Sequence, residues 1–262
     1  MSLPGSQGFL EADGRRLEYR WVGRRSATPT LVFLHEGLGC LAMWRDFPER
    51  VAEATGLGVF VYSRAGYGRS DAVDLPRPVR YMHHEGLVVL PQVLEQAGIK
   101  RTVLVGHSDG GSIAIVYAGS LEQPHRLQGL ILLAPHVFNE RICVESIRAA
   151  REEYLKGNLR HRLSRYHGER VDNAFWGWND VWLHPEFWHW NIEEYLSGIR
   201  VPAIVIQGQE DAYGTARQVE ALEAGLAGPL RRVMLADCGH SPHKDRPAAT
   251  LEAMVSFLSG LN

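Results

Sequence analysis

This 262-residue chain has few cysteines, no excess of either charge and no long apolar run, and each of these absences excludes a class of protein. The three cysteines, Cys40, Cys143 and Cys238, are far apart and odd in number, so neither a disulfide framework nor a zinc site is predicted. The 28 basic and 30 acidic residues nearly balance, and no basic stripe indicates a nucleic-acid or anionic-membrane partner. No charged start precedes an apolar core at the N-terminus, and no run could span a bilayer, so we expect a cytoplasmic protein without a signal peptide.

Short apolar runs alternate with helix-compatible segments along most of the chain. Residues 8–22 predict a hairpin that turns at Asp13-Gly14, and residues 30–35 and 58–63 predict strands buried on both faces. Further strands are expected near 103–105, 130–135, 202–208 and 231–235, and helices near 44–54, 79–96, 112–118, 215–224 and 248–258. Strands that alternate with helices pair in parallel through right-handed crossovers, so the predicted fold class is α/β.

The composition changes between about residues 136 and 198, where no apolar strand is found. Helices are predicted near 146–154 and 158–166. The aromatic stretch that follows contains five of the seven tryptophans of the chain. We interpret the segment as a helical insertion that packs over the sheet edge. The core then consists of residues 1–135 and 199–262.

The sequence Gly106-His107-Ser108-Asp109-Gly110 lies between a predicted strand and a predicted helix. This is the G-x-S-x-G pattern of a nucleophile elbow, in which a serine occupies a sharp, strained turn. Gly106 and Gly110 leave room for close approach, and the helix N-terminus supplies positive dipole where an oxyanion would form. The alternative is a glycine-rich loop that merely opens a core helix.

A serine hydroxyl needs a base to take its proton, and the base needs an acid to orient it. Asp211 and His240 each follow a predicted strand, at the sheet edge where ligands bind in open α/β folds. Gly239 favours His240, because a glycine lets that loop approach Ser108 closely. The alternatives that the loops leave open are Glu210 and Glu140 for the acid and His243 for the base.

An oxyanion hole needs two main-chain N–H donors. Asp109, directly after the serine, is expected to supply one, and Gly37, in the loop after the 30–35 strand, the other. Glu36 is unfavourable there, since a carboxylate beside a developing oxyanion would raise the barrier. We therefore expect the Glu36 side chain to point away or to be paired, and the Asp109 carboxylate to avoid the site.

Five motifs in register resemble the α/β-hydrolase family, in its serine hydrolase branch, across nearly the whole chain. They are the oxyanion loop 34–39, the glycine turn 64–71, the elbow 106–111, the acid loop 208–211 and the histidine loop 239–242. Two positions depart from the family pattern. Glu36 stands where glycine is usual, and Ser63 or Arg64 stands where an aspartate usually opens the glycine turn, a difference that we interpret as structural.

The resemblance implies a three-layer α/β/α sandwich with a mostly parallel eight-stranded sheet and a helical cap inserted after the sixth strand. It also implies a hydrolase that uses neither a metal nor an organic cofactor. The serine argues against the branches that use aspartate, and a carboxylic ester hydrolase for small apolar or aromatic esters through an acyl-enzyme is our first hypothesis. We expect a small-molecule substrate as the partner and neither a nucleic acid nor a membrane. The chain is expected to be a monomer or a homodimer.

The expected substrate pocket lies between the elbow and the cap. Its predicted lining is Glu36, Leu38, His84, His107, Trp176, Trp178 and Trp182. The tryptophans have an alternative role as packing between cap and core. Tyr81 and His83 could also reach this pocket, although residues at such helix positions are more often exposed. The activities left open are carbon–carbon bond hydrolysis of ring-cleavage products, lactone, thioester or amide hydrolysis, perhydrolysis, and ligand binding by a receptor of the same fold.

Overall fold

The computed structural model of the chain describes residues 6–120 and 127–261. Eight strands form one sheet: β1 (Ser6–Ala12), β2 (Arg15–Val22), β3 (Thr30–Leu34), β4 (Val59–Tyr62), β5 (Thr102–His107), β6 (Leu127–Leu133), β7 (Ala203–Gly208) and β8 (Leu230–Leu235). Their spatial order is β1-β2-β4-β3-β5-β6-β7-β8, with β3 to β8 parallel and β1 and β2 antiparallel to their neighbours. The predicted eight-stranded, mostly parallel sheet is confirmed.

The apolar strands bury both of their faces, as expected of a sheet between two helical layers. Val32 and Leu34 of β3 belong to the apolar cluster on one face, whereas Leu31 and Phe33 belong to the cluster on the other. The hairpin before them turns where predicted, because Asp13 and its neighbouring glycine both adopt positive φ. These alternating contacts produce the three layers of the fold.

Ten α-helices lie in the described ranges: α1 (Phe47–Thr55), α2 (Tyr81–His84), α3 (Leu90–Gln96), α4 (Asp109–Gly119), α5 (Arg141–Lys156), α6 (Leu159–His167), α7 (Val171–Trp182), α8 (Ala216–Gly225), α9 (Pro242–Asp245) and α10 (Pro247–Ser259). None of the helices in these ranges is both long and apolar enough to cross a membrane.

Two predicted helices differ in detail from the observed ones. Helix α1 begins at Phe47, because Arg45 has a positive φ and Pro48 suits a first helical turn. The helix predicted over 79–96 contains a π-helical turn (Glu85–Val89) between α2 and α3. The strands and helices that position the elbow and the later loops lie where the sequence predicts them.

Helices α5, α6 and α7 form between β6 and β7 and lie against the loops that follow β3 and β4. Gly68 N–H donates to His167 Nδ1 at 2.9 Å, and His167 Nε2 lies 3.1 Å from the carbonyl oxygen of Leu38. Asn173 bonds the main chain of Val73 through both its amide atoms, at 2.8 and 3.0 Å. This helical segment therefore covers the edge where β3 and β4 end, while its role as a cap with boundaries at 135 and 199 stays a prediction.

Candidate active site

A strained serine stands at the junction of β5 and α4. Ser108 has φ 52° and ψ −119°, a backbone conformation that L-residues rarely adopt. Its N–H donates to the carbonyl oxygen of Leu133 at 3.0 Å, which ties the turn to β6. A Cβ atom at Gly106 would overlap the carbonyl group of Gly110, and one at Gly110 would overlap that of Leu34. The two glycines therefore permit the close packing that this turn requires.

A chain of hydrogen bonds links this serine to side chains from two other strand ends. His240 follows β8, and its Nε2 atom lies 2.9 Å from Ser108 Oγ. Its Nδ1 atom lies 2.9 Å from both carboxylate oxygens of Asp211, which follows β7. The fold thus brings together the three residues predicted for nucleophile, acid and base. Such an arrangement can activate a serine hydroxyl for attack on a carbonyl.

The Asp211 carboxylate is held in its ionised form. Burial opposes ionisation, but the hydrogen bond with His240 and one from the main-chain N–H of Tyr213 at 2.8 Å outweigh it and lower the pKa of Asp211. An ionised Asp211 accepts the Nδ1–H of His240. Nε2 of His240 is then available to accept the Ser108 proton.

The rival acids predicted from the sequence lie elsewhere. Glu210 has an exposed side chain, and its main-chain N–H bonds the carbonyl oxygen of Cys238 at 2.9 Å. Glu140 is buried and accepts hydrogen bonds from Thr215 Oγ1 and Gln218 Nε2, both at 2.7 Å. It therefore anchors the start of α8 and does not meet the histidine.

The histidines beside His240 support its loop. His107 has no exposed surface, so its predicted place in the substrate pocket is wrong. Its Nε2–H donates to the carbonyl oxygen of His240 at 2.7 Å, which holds the histidine loop. The rival base His243 is buried against the Trp44 ring at 4.5 Å, and burial and the nearby His107 hold its pKa well below the usual range.

The two predicted oxyanion donors lie at the ends of β3 and β5. Gly37 packs so closely on the Trp178 indole that a Cβ atom there would overlap the ring. Asp109 is the first residue of α4, and its carboxylate is directed to the Tyr81 hydroxyl, which donates a hydrogen bond to it, and to Arg64 at 3.9 Å. Burial raises the pKa of Asp109, and the Arg64 charge opposes that rise.

Glu36 is paired, as expected. Its Oε1 atom lies 3.0 Å from Lys244 Nζ, and its Oε2 atom lies 3.4 Å from His107 Nδ1. Burial would raise the pKa of Glu36, but Lys244 and His107 outweigh it and hold that pKa well below the usual range. The pair joins the loop after β3 to helix α9, which follows the histidine loop.

Replacing Glu36 with glutamine is expected to lower the free energy of unfolding by about 1 kcal/mol at neutral pH, because it removes one charge of a partly buried pair. Since the folded-state pKa of Glu36 is lowered, its contribution is present above the unfolded-state pKa and disappears as the pH falls through the folded-state value. Urea unfolding at neutral and acidic pH measures this difference. Glu53→Gln, on an exposed position of α1, is the control, and equal stability of wild type and Glu36→Gln at neutral pH would contradict the expectation.

Two further predicted lining residues make contacts elsewhere in the fold, and their place in a substrate pocket stays a prediction. His84 lies 2.7 Å from Asp13 with 52% of its side chain exposed, so it pairs with the β1–β2 turn. Trp176 packs on Phe175 and lies under Arg151, at 4.9 and 5.2 Å, so its contacts stay within the helical segment.

Other predicted lining residues do approach the site. Trp178 contacts Gly37, and Trp182 Nε1 donates to the Tyr81 hydroxyl at 3.2 Å. Leu38 is half-buried in the loop after β3. Tyr81 is buried, as is its neighbour His83, against the expectation of exposed helix positions.

Sequence reasoning missed two buried residues. His136 follows β6, and its ring lies 5.5 Å from that of His240 and 5.1 Å from that of Trp182. Burial, with the nearby His240, lowers the pKa of His136 to about 3. Arg64 donates hydrogen bonds to the main chain of the loop after β3 and also lies 3.9 Å from the Asp109 carboxylate. Each of these two residues follows a parallel strand. This position is the sequence signal that could have identified them, because the ends of parallel strands meet at one sheet edge.

The described residues contain no group of three or more histidine, cysteine, aspartate or glutamate side chains that could hold a metal ion.

Comparison with known proteins gives the family. The profile of the Alpha/beta hydrolase family matches residues 31–253. A proline iminopeptidase of Lactobacillus helveticus is 23% identical over 89% of this chain and 91% of that protein. An esterase from Exiguobacterium antarcticum superposes with a TM-score of 0.77 at 21% identity, over 97% of this chain and 100% of the other. The enol-lactonase from Burkholderia xenovorans gives 0.71 at 23% identity, over 96% and 100%. The match over most of its length shows that this chain belongs to the alpha/beta hydrolase family.

Proposed function

We propose that this hydrolase is a serine esterase that cleaves small, uncharged carboxylic esters through an acyl-enzyme. The observation that carries the proposal is the hydrogen-bonded chain from Ser108 Oγ through His240 to Asp211, with 2.9 Å at each link. The position of Ser108 at a strained turn before a helix N-terminus supports the same chemistry, since a nucleophile elbow presents its serine to the substrate.

The proposed reaction has two halves. Ser108 Oγ attacks the ester carbonyl while His240 Nε2 takes its proton, and Asp211 stabilises the imidazolium. The N–H groups of Gly37 and Asp109 stabilise the oxyanion, which collapses as His240 returns the proton to the departing alcohol. Water then attacks the acyl-enzyme with His240 again as base, and the acid leaves as Ser108 recovers its proton.

The surroundings favour an uncharged substrate. Trp178 lies beside Gly37, and Trp182 lies beside His136, so aromatic surface approaches the site from the helical segment. The carboxylate beside the proposed oxyanion hole, Glu36, already has Lys244 as its partner. A substrate ammonium group would have to displace that lysine, whereas an apolar ester only has to fill apolar space.

A second candidate is the removal of an N-terminal proline, which the names of the matched relatives suggest. An amide can follow the same two steps. The substrate would, however, carry a charged secondary amine at neutral pH, and recognition of that charge would require a free carboxylate. The pairing of Glu36 places this candidate second.

The test is a comparison of kcat/KM for p-nitrophenyl acetate, butyrate and octanoate with that for proline p-nitroanilide. A lactone and a ring-cleavage dienone complete the panel. We expect the short esters to be turned over fastest and a fluorophosphonate probe to label Ser108. Preference for the prolyl amide would replace the esterase proposal with the second candidate, and binding without turnover would identify a receptor.

A further inference from the structure

Arg64, in the loop after β4, places a full positive charge in the interior with no exposed surface. Its Nη1 atom donates to the carbonyl oxygen of His35 at 2.5 Å, and its Nη2 atom donates to that of Glu36 at 3.1 Å. Nη2 also lies 3.9 Å from Oδ2 of Asp109. A buried charge is unfavourable unless it is paired and hydrogen-bonded, so these three contacts explain why the guanidinium is tolerated there.

The Glu36 carbonyl that Arg64 binds belongs to the same peptide group as the N–H of Gly37. A trans peptide group is planar, with its C=O and N–H on opposite sides. An arginine that holds the oxygen therefore also fixes the direction of the Gly37 N–H. The same peptide is held a second time, because His35 Nδ1 lies 2.7 Å from the Glu36 oxygen and His35 Nε2 accepts the main-chain N–H of Arg64 at 3.1 Å.

The other contact of the guanidinium reaches the residue that carries the second proposed donor. The Asp109 carboxylate lies between Arg64 and the Tyr81 hydroxyl, and that hydroxyl in turn accepts from Trp182 Nε1 at 3.2 Å. These contacts fix the first turn of α4, whose first N–H belongs to Asp109. One side chain thus touches both segments that would line the oxyanion.

We propose that Arg64 is the positioning residue of the oxyanion hole and fixes the Gly37 and Asp109 donors with a single guanidinium. The inference rests on the proposed serine esterase function. It explains the residue type, because a planar fork can reach two carbonyl oxygens and a carboxylate at once, whereas the compact ammonium of lysine cannot. The departure from the family pattern at the glycine turn thereby acquires a role in the site.

Arg64→Met and Arg64→Lys test the proposal on the full chain, with a p-nitrophenyl ester as substrate. We expect Arg64→Met to lower kcat about 100-fold, comparable with the loss of one oxyanion donor, while KM changes little. The inhibition constant of phenylboronic acid should rise in parallel, because its tetrahedral adduct on Ser108 places an oxygen in the same hole. Arg64→Lys should lower kcat by less.

Arg15→Met is the matched control. Arg15 is partly buried and, like Arg64, donates to a main-chain carbonyl, that of Ala72, and pairs with a carboxylate, Asp74 at 2.8 Å, away from Gly37, Tyr81 and Asp109. It should lower the melting temperature and leave kcat and boronate inhibition close to wild type. If the Arg64 variants do not fold, Asp109→Asn, which keeps the main-chain donor but weakens the link to the guanidinium, should lower kcat about tenfold.

The outcomes separate this inference from the proposed function. Wild-type kcat and boronate inhibition in Arg64→Met, or in Asp109→Asn when Arg64 variants do not fold, would overturn the positioning role. Equal losses in Arg64→Met and Arg15→Met would overturn it as well, since a general effect of destabilisation would then suffice. In both cases an inactive Ser108→Ala variant leaves the esterase proposal standing, whereas an active one removes the basis of both.

Discussion

Replacing Ser108 with alanine is expected to lower kcat for p-nitrophenyl ester hydrolysis about a million-fold, as the loss of the nucleophile does in serine hydrolases. The variant keeps His240 and Asp211 but has no oxygen that can form the acyl bond. Steady-state rates and the loss of fluorophosphonate labelling measure the effect. Because the alanine must adopt the same positive φ, the fold is checked by circular dichroism on the same samples.

Ser112→Ala is the matched control for this variant. Ser112 lies one turn along α4, is also buried, and donates to the carbonyl oxygen of His136 at 2.6 Å. Removing its hydroxyl should lower stability by about 1–3 kcal/mol, since a buried carbonyl loses its partner. Turnover should remain. If Ser108→Ala hydrolysed esters at the wild-type rate, another residue would have to be the nucleophile.

The second large effect is expected for Asp211→Asn, with a fall in kcat of about ten-thousandfold. An asparagine amide can donate to Nδ1 of His240, which places the imidazole proton on Nε2 and leaves that atom unable to accept from Ser108. The measurement is kcat across the pH range for wild type and variant, with KM as the check on substrate binding.

Glu210→Gln removes the neighbouring carboxylate from an exposed position and should leave kcat unchanged. The reverse result, with Glu210→Gln inactive and Asp211→Asn active, would show that the acid has been assigned to the wrong residue. Loss of activity in both variants without a change in the fold would show that the loop, and not one carboxylate, is required.

Much of the fold and of the site follows from local sequence. Strands β3, β4 and β5 are mostly apolar and are buried along their whole length, and such apolar runs predict burial on both faces without knowledge of their neighbours. Ser108 stands directly after β5, and Asp211 and His240 stand in the loops that follow β7 and β8. Parallel strands carry these ends to one edge. Local pattern and sheet topology together were therefore enough to predict the contact among these three residues.

Features decided by contacts between distant segments could not be predicted in this way. His84 and Tyr81 lie on the same short helix, yet one pairs with an exposed turn and the other holds Asp109. A π-helical turn follows α2 directly, and the sequence pattern does not specify that turn. Arg64 resembles any loop arginine until the fold places two carbonyl oxygens beside it.

The contact between Gly37 and Trp178 makes two distant positions dependent on each other. A side chain at position 37 has no space while position 178 carries an indole. That indole belongs to α7, which follows β6 in the sequence. A bulkier residue at position 37 therefore requires a smaller side chain at position 178 or a displaced helix. A variant library that randomises position 37 alone would sample mostly excluded combinations, so the loop and the helix have to be varied as a pair.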